Sequence, residues 1–192
     1  MLLGVNVNST ISLFTVLLLL CSSNSLASVP SLSGRVSISG NILTPTCVVG
    51  KDSTPFGDSI EISATSVDKI SSVHEGRPIP DAIKEFKLKL QCDGALKPKL
   101  KFTFDKEQIV GKGSPLIESL IRTTGTGAGI SIGLLAKNDF VISGAELPME
   151  EEAGQYGAYN YSLGLVVRAY RNGYAPKAGE VKATATVEVI EQ

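Results

Sequence analysis

The sequence predicts an all-β sandwich. Apolar and polar residues alternate in many short runs, which is the period of a strand that buries one face. Gly, Pro, Asn, Asp and Ser separate these runs, and the strand–helix–strand rhythm of a parallel sheet is missing. The 192-residue chain, less an apolar leader, has the length of one domain.

The first 27 residues have the composition of a secretory signal peptide. An apolar run from Ile11 to Leu20 precedes Ser25-Leu26-Ala27, where small residues occupy the two positions that a signal peptidase reads. We expect cleavage after Ala27, since the run is too short for a membrane anchor. No Lys or Arg precedes the run, which leaves the true start codon open. A lipoprotein signal that ends at Cys21 is the weaker alternative, because a small residue is required where Leu20 stands.

Two cysteines remain after this leader, Cys47 and Cys92. An even pair in an exported chain predicts a disulfide, and two unpaired buried cysteines are the alternative. On the chain-entropy estimate, closing a loop of this length stabilises the fold by about 4 kcal/mol. The charge is nearly balanced, with 18 basic and 19 acidic residues, so it gives no support for binding to nucleic acid or anionic lipid.

The alternation predicts both the strands and the residues that face the core. In chain order, the core-facing residues of the predicted strands are Ile60 and Ile62; Phe86, Leu88, Leu90 and Cys92; Leu100, Phe102 and Phe104; Ile130, Ile132 and Leu134; Tyr161, Leu163, Leu165, Val167 and Ala169; and Val181, Ala183, Ala185, Val187 and Val189. Helical turns are expected only at Leu116 to Ile121 and at Ala82 to Glu85. Met149 to Glu152 is expected to be a solvated loop between strands.

No group of residues in the sequence indicates catalysis, a cofactor or a metal site. The single histidine, His74, lies beside Glu75 in a polar segment, and no free cysteine remains as a nucleophile. The glycine-rich stretch Gly125 to Gly129 leads into an alternating run and not into a helix, as a phosphate-binding loop requires. Adjacent glutamates at Glu150 to Glu152 make a poor cation cage. We expect no enzyme.

An alternating run also opens the exported part of the chain, from Leu32 to Ile42. It carries Gly34 and Gly40 on its apolar face, and glycine inside a strand often marks a close approach by another backbone. The run therefore raises the question of which surface it packs against, and whether that surface belongs to the same molecule.

Four features together resemble the type 1/P-type fimbrial subunits of the chaperone–usher pathway of Gram-negative bacteria. They are the run Val36-x-Ile38-x-Gly40-x-Ile42 before Cys47, the paired cysteines, the stretch Gly127-Ala128-Gly129-Ile130, and Gly179 fourteen residues from the C-terminus. The resemblance covers essentially the whole chain after the leader. Glu191 departs from the pattern, because the family usually has a tyrosine as the penultimate residue.

The resemblance implies an incomplete immunoglobulin-like β-sandwich with six strands of its own. Residues 28–42 would be an N-terminal donor-strand extension that leads into the first strand, and residues 43–192 the pilin domain. A groove left by the missing strand would be covered first by a periplasmic chaperone and then by the extension of the next subunit. The implied partners are neighbouring pilus subunits, that chaperone and an outer-membrane usher, with no cofactor. The implied destination is a fimbrium on the cell surface that contributes to adhesion.

The resemblance also implies roles for individual residues. The donor-strand residues would be Leu32, Gly34, Val36, Ile38, Gly40 and Ile42, with Gly40 at a shallow site of the groove. The groove edge that the chaperone holds would comprise Gly179, Val181, Ala183, Ala185, Val187, Val189 and Gln192. Two alternatives stay open: residues 32–42 as the first strand of a complete sandwich, and an exported adhesin that recognises a host glycan or protein. Shaft, adaptor and terminator subunits are not distinguished.

Overall fold

A computed structural model describes residues 30–41, 47–50, 53, 59–93, 97–107, 119–152 and 159–190. Two sheets pack face to face over these ranges and share one apolar core, which confirms the predicted all-β sandwich. The predicted leader, Ile42, Glu191 and Gln192 lie outside the described residues. Among the described residues, no helix is long and apolar enough to cross a membrane.

The elements follow one another as short and long strands with one helical turn. In chain order they are β1 (Ser31–Asn41), β2 (Cys47–Val49), β3 (Ser59–Ser66), α1 (Val67–Ser71), β4 (Pro78–Cys92), β5 (Lys99–Phe104), β6 (Leu120–Ile121), β7 (Thr124–Gly125), β8 (Ile130–Ala136), β9 (Asp139–Phe140), β10 (Glu146–Pro148), β11 (Glu150–Glu152), β12 (Tyr159–Arg171) and β13 (Gly179–Ile190). Apart from β1, the long strands of the described part are β3, β4, β5, β8, β12 and β13.

Hydrogen bonding arranges these strands in two sheets. Sheet A has the order β10-β5-β13-β1-β3, with β7 also paired to β13. Sheet B has the order β2-β4-β12-β8-β6, with β11 paired to β12 and β9 to β8. Every pairing between these named strands is antiparallel except that of β1 with β13, which is parallel.

The core confirms the predicted alternation. Every core-facing residue that the sequence predicts is buried and belongs to one continuous cluster. β8 departs from simple alternation, because its other face is also covered: the ring of Tyr170 lies over Gly133, and Phe140 packs against that ring at a centroid distance of 5.4 Å. Burial raises the pKa of the Tyr170 hydroxyl.

Two predicted helical turns are wrong where the structure describes them. Ala82 to Glu85 lies within β4, where pairing with β12 supplies backbone hydrogen bonds that outweigh local preference. Leu120–Ile121 is the short strand β6 beside β8, and residues 116–118 of that predicted turn lie outside the described residues. The sequence prediction also missed α1, which Ser66 caps by accepting a hydrogen bond from the Lys69 N–H at 3.3 Å.

The segment that was expected to be a solvated loop instead joins the two sheets. Glu146–Pro148 pairs with β5 in sheet A, Glu150–Glu152 pairs with β12 in sheet B, and Met149 is buried between them. Lysines pair with two carboxylates of Met149 to Glu152 and with one that precedes it. Lys87 Nζ lies 2.6 Å from Glu152 Oε1, Lys137 Nζ lies 2.5 Å from Glu150 Oε1, and Lys99 Nζ lies 3.3 Å from Glu146 Oε2. Hydrogen bonds from Lys137 and Lys87 lower the pKa of Glu150 and Glu152, respectively.

The predicted disulfide is present and joins Cys47 on β2 to Cys92 at the end of β4. Both residues are buried. The bond secures a three-residue strand at the edge of sheet B, which pairs with β4 among the described strands.

We predict that replacing both cysteines, in Cys47→Ala/Cys92→Ala, lowers the free energy of unfolding by about 4 kcal/mol, because the unfolded chain regains its loop entropy. Urea unfolding of the oxidised wild type and the variant measures the difference. The wild type under reducing conditions is the control and should unfold with the variant. Equal urea midpoints for all three samples would contradict the prediction.

Candidate functional site

The N-terminal strand lies between the C-terminal strand and β3. β1 runs parallel to β13 in continuous register, from Leu32 opposite Gly179 to Asn41 opposite Glu188. On its other side β1 pairs antiparallel with β3, with a register shift between Leu32 and Gly34. We call the space between β13 and β3 that β1 fills the groove.

Three aliphatic side chains of β1 fill the groove from within. Leu32, Val36 and Ile38 are at most 2 % exposed and form part of the common core. At about 1.5–3 kcal/mol for each fully buried aliphatic side chain, their transfer from water contributes about 5–9 kcal/mol. The hydrogen bonds of both ladders add to this, so the groove is a major part of the apolar core.

Side-chain sizes on β1 and β13 are complementary along the whole parallel register. Wherever core-facing residues of the two strands stand opposite one another, one is large and the other is small. The pairs are Leu32 with Gly179, Gly34 with Val181, Val36 with Ala183, Ile38 with Ala185, and Gly40 with Val187. A shift of two residues would place Leu32 opposite Val181 and lose this match. The sizes therefore specify this register.

A junction of glycines positions the start of β13, which forms one edge of the groove. Gly179 has a φ of +144°, and a Cβ there would lie 2.6 Å from the Gly127 amide nitrogen. A Cβ on Gly127 would in turn lie 3.1 Å from the Gly179 carbonyl oxygen. Two backbones therefore cross in contact here, which accounts for glycine at both positions.

The solvent-facing side of the groove carries four neighbouring charged residues, which we call the Arg35 cluster: Glu61 on β3, Arg35 on β1, and Glu180 and Lys182 on β13. In the strand ladders Glu61 and Lys182 stand opposite Arg35, and Glu180 stands opposite Ser33. Arg35 Nη2 lies 3.1 Å from Glu61 Oε1, and Arg35 Nε lies 3.7 Å from Glu180 Oε1. Lys182 Nζ lies 3.5 Å from Glu180 Oε2. All four side chains are at least 40 % exposed, so each pair contributes little to stability.

The structure brings the predicted site residues together, with exceptions at the two ends of the site. Leu32, Gly34, Val36 and Ile38 occupy the groove as part of β1. On β13, which forms one edge of the groove, Val181, Ala183, Ala185, Val187 and Val189 all face the core. Gly40 is described by its register alone, opposite Val187, while Ile42 and Gln192 lie outside the described residues.

Sequence reasoning missed the other edge of the groove, β3, and the Arg35 cluster. Alternation carries no information on which strands become neighbours. His74 lies exposed in a turn after α1, and the described residues contain no group of three or more His, Cys, Asp or Glu side chains arranged to hold a metal.

We predict that Gly34→Ala stabilises the subunit by about 0.5–1 kcal/mol, because alanine loses less backbone entropy on folding than glycine does. The added Cβ would meet Ile62 Cβ at 3.5 Å and Val181 Cγ2 at 3.8 Å, which are ordinary contacts. The urea midpoint should rise. A lower midpoint would show that β1 is not seated against Ile62 and Val181.

We predict that Gly179→Ala lowers the free energy of unfolding by about 2 kcal/mol or more, because both its backbone conformation and its contact with Gly127 exclude a side chain. Gly164→Ala is the matched control: Gly164 lies in β12, and a Cβ there would meet nothing within 4 Å. Urea unfolding should separate the two variants clearly. Equal midpoints would contradict the assigned crossing of the two backbones.

Comparisons with known proteins bear on this arrangement. Three solved structures are similar to the chain. The P pilus rod subunit PapA is 18% identical with a TM-score of 0.50, and the match covers 77% of this chain and 99% of that chain. A chaperone–usher pilus is 20% identical with a TM-score of 0.48 and coverages of 76% and 87%, and an antigen and type I fimbria protein of Burkholderia pseudomallei is 15% identical with a TM-score of 0.42 and coverages of 83% and 96%. The first of these supports the fold. A search of curated protein sequences found no match.

A family model described as fimbrial protein matches residues 36–192. The match begins at Val36 within β1 and includes both cysteines, the glycine junction and all of β13. It therefore covers nearly all of the groove together with its edges. The chain belongs to the fimbrial protein family, and its role is that of a pilus subunit.

Proposed function

We propose that this pilus subunit polymerises by strand exchange, in which β1 of one subunit fills the groove of the next. The observation that carries the proposal is the position of β1. It is the first strand that the structure describes, and it is inserted between two strands that do not pair with each other. A strand at the N-terminal end of the described domain can leave this position, or be replaced by another strand, while the other strands keep their order, as in domain swapping.

The energetics of the groove support exchange rather than simple loss of the strand. Withdrawal of β1 removes Leu32, Val36 and Ile38 from the core and leaves β13 and β3 with unpaired edges along the groove. An open apolar groove with unpaired strand edges favours aggregation. A strand of the same sequence from a neighbour restores the same contacts by β-strand addition.

The same argument supports partners that handle the open subunit. In the proposed pathway a periplasmic chaperone covers the groove until a neighbour's β1 replaces it, and an outer-membrane usher receives the complex. The groove edge on β13, from Gly179 to Val189, is the surface that both the chaperone and the donor strand contact. Assembly requires no nucleotide, because burial of apolar side chains and formation of a hydrogen-bonded ladder drive it. The finished fimbrium lies outside the cell and contributes to adhesion.

The groove is filled by the subunit's own β1 in the structure, which sets a condition on assembly. One strand cannot occupy its own groove and that of a neighbour at the same time. Because β1 is tethered to its own domain, its effective concentration at its own groove is high. Insertion of β1 into its own groove therefore competes with insertion into the groove of a neighbour. Opening must therefore precede assembly.

We predict that a disulfide between β1 and β13 blocks assembly. Ser37 and Thr184 stand opposite each other on the solvent-facing side, and neighbouring strands lie about 4.8 Å apart, within the range that a disulfide spans. The full-length Ser37→Cys/Thr184→Cys variant, oxidised as a monomer, should form at least tenfold fewer chains than the wild type. Size-exclusion chromatography and electron microscopy measure the yield.

Two controls accompany this measurement. The single variant Ser37→Cys should assemble like the wild type, and selective reduction of the new disulfide should restore assembly of the double variant. If the oxidised double variant assembled as fast as the wild type, β1 would not need to leave its own groove and the proposed exchange would be wrong.

A further inference from the structure

The turn that follows β12 contains a chemically labile pair of residues. Asn172-Gly173 is the only asparagine–glycine pair in the sequence, and asparagine is among the least durable residues in proteins. The backbone nitrogen of the next residue attacks the side-chain carbonyl carbon of asparagine, and glycine leaves that nitrogen unhindered. The turn itself favours glycine at this position, because Gly173 has a φ of +88°.

The side-chain amide of Asn172 is buried and held on both of its polar atoms. Its Nδ2 donates to the Ile130 carbonyl oxygen at 3.0 Å and to Ser131 Oγ at 3.1 Å. Its Oδ1 accepts from the Tyr174 N–H at 3.2 Å, and the residue is 3 % exposed. Rotation of the side chain toward the Gly173 nitrogen would break these hydrogen bonds in a site that water does not replace.

The backbone around Asn172 is held by the strand that leads into β8. The Asn172 N–H donates to the Gly129 carbonyl oxygen at 3.2 Å, and the Arg171 guanidinium donates to the same oxygen at 3.3 Å. Ala128 and Lys177 exchange a pair of backbone hydrogen bonds, both at 3.1 Å. These contacts lead into the glycine junction at which β13 begins, so the turn fixes one end of the groove edge.

We infer that Asn172 is a deamidation site that folding closes. In an unfolded chain the Gly173 nitrogen bonds to Asn172 Cγ, the Cγ–Nδ2 bond breaks, and ammonia leaves with the proton of the Gly173 N–H. Water then opens the cyclic imide to aspartate or isoaspartate. In the folded subunit the hydrogen bonds of the amide suppress the first step.

The product does not fit the site that held the amide. Ser131 donates its hydroxyl hydrogen to Glu107 Oε2 at 2.7 Å, so it can only accept from residue 172. Aspartate has no hydrogen for Ser131 Oγ or for the Ile130 carbonyl oxygen, and its charge would lie one hydroxyl away from the Glu107 carboxylate. Both Ser131 and Glu107 are buried, which makes unpaired polar groups and adjacent like charges unfavourable.

Deamidation is therefore an irreversible mark of chains that have stayed unfolded. Such a chain loses the turn that positions the start of β13, and with it one edge of the groove, whereas a folded subunit keeps its amide. This consequence does not depend on how subunits are joined, so its test is separate from that of strand exchange.

The test compares the full-length oxidised protein in native buffer and in guanidinium chloride at the same mildly alkaline pH. Peptide mass spectrometry locates aspartate and isoaspartate formed at residue 172. The unfolded chain should react at least tenfold faster there, because reaction in the folded subunit requires local opening. In the unfolded chain Asn138 and Asn160, which no glycine follows, should react more slowly than Asn172. Equal rates at Asn172 in the two states would overturn the inference.

Two variants separate the effect of the hydrogen bonds from that of overall stability. Ser131→Ala removes one partner of the Asn172 amide, and should raise deamidation in native buffer at least threefold. Leu100→Ala creates a cavity opposite Val189, toward the far end of β13, and lowers stability without touching the turn. Its smaller effect, at a matched urea midpoint, is the expected control result. An equal rise in both variants would show that the amide's partners do not protect it.

The fate of the product is measured separately. Asn172→Asp should lower the urea midpoint of the full-length protein, whereas Asn138→Asp, the same change in the exposed turn after β8, should leave it unchanged. After incubation in guanidinium chloride and return to native buffer, size-exclusion chromatography separates the folded monomer from the remainder. Chains modified at residue 172 should be at least fivefold enriched in the remainder. Equal refolding of modified and unmodified chains would contradict the inferred irreversible loss.

Discussion

The insertion of β1 between β13 and β3 is the interaction on which the rest of the structure depends. It completes sheet A, it places Leu32, Val36 and Ile38 in the core, and it pairs the edges of two strands that would otherwise face solvent. The glycine junction sets where β13 begins, and the disulfide secures the chain on the far side of the segment that leaves β1.

The two sides of β1 have different physical roles. Its core-facing side contributes most of the free energy through burial, and complementary side-chain sizes on β13 specify the register. Its solvent-facing side contributes little stability, because the Arg35 cluster is exposed and screened by salt.

Away from the groove, the chain from Glu146 to Glu152 joins the two sheets. Met149 is buried where the chain passes from sheet A to sheet B, and Lys87 on β4, Lys99 on β5 and Lys137 in the turn after β8 pair with the flanking glutamates. The sequence alone indicated a solvated loop there, because four residues dominated by glutamate carry no apolar alternation. The arrangement depends on lysines that are distant in the chain, and on the pairing of Glu146–Pro148 with β5 and of Glu150–Glu152 with β12.

The sequence by itself determined the long strands, their core-facing residues, the disulfide and the family, because alternation, cysteine count and motif spacing are local properties of the chain. It also indicated that Val36, Ile38 and the residues of β13 belong to one site. Only the tertiary structure decided that β3 is the other edge of the groove, that β1 runs parallel to β13, and that Arg35 meets Glu61 and Glu180. Alternation states which face of a strand is buried, whereas strand order, direction and register depend on packing between residues that are far apart in sequence.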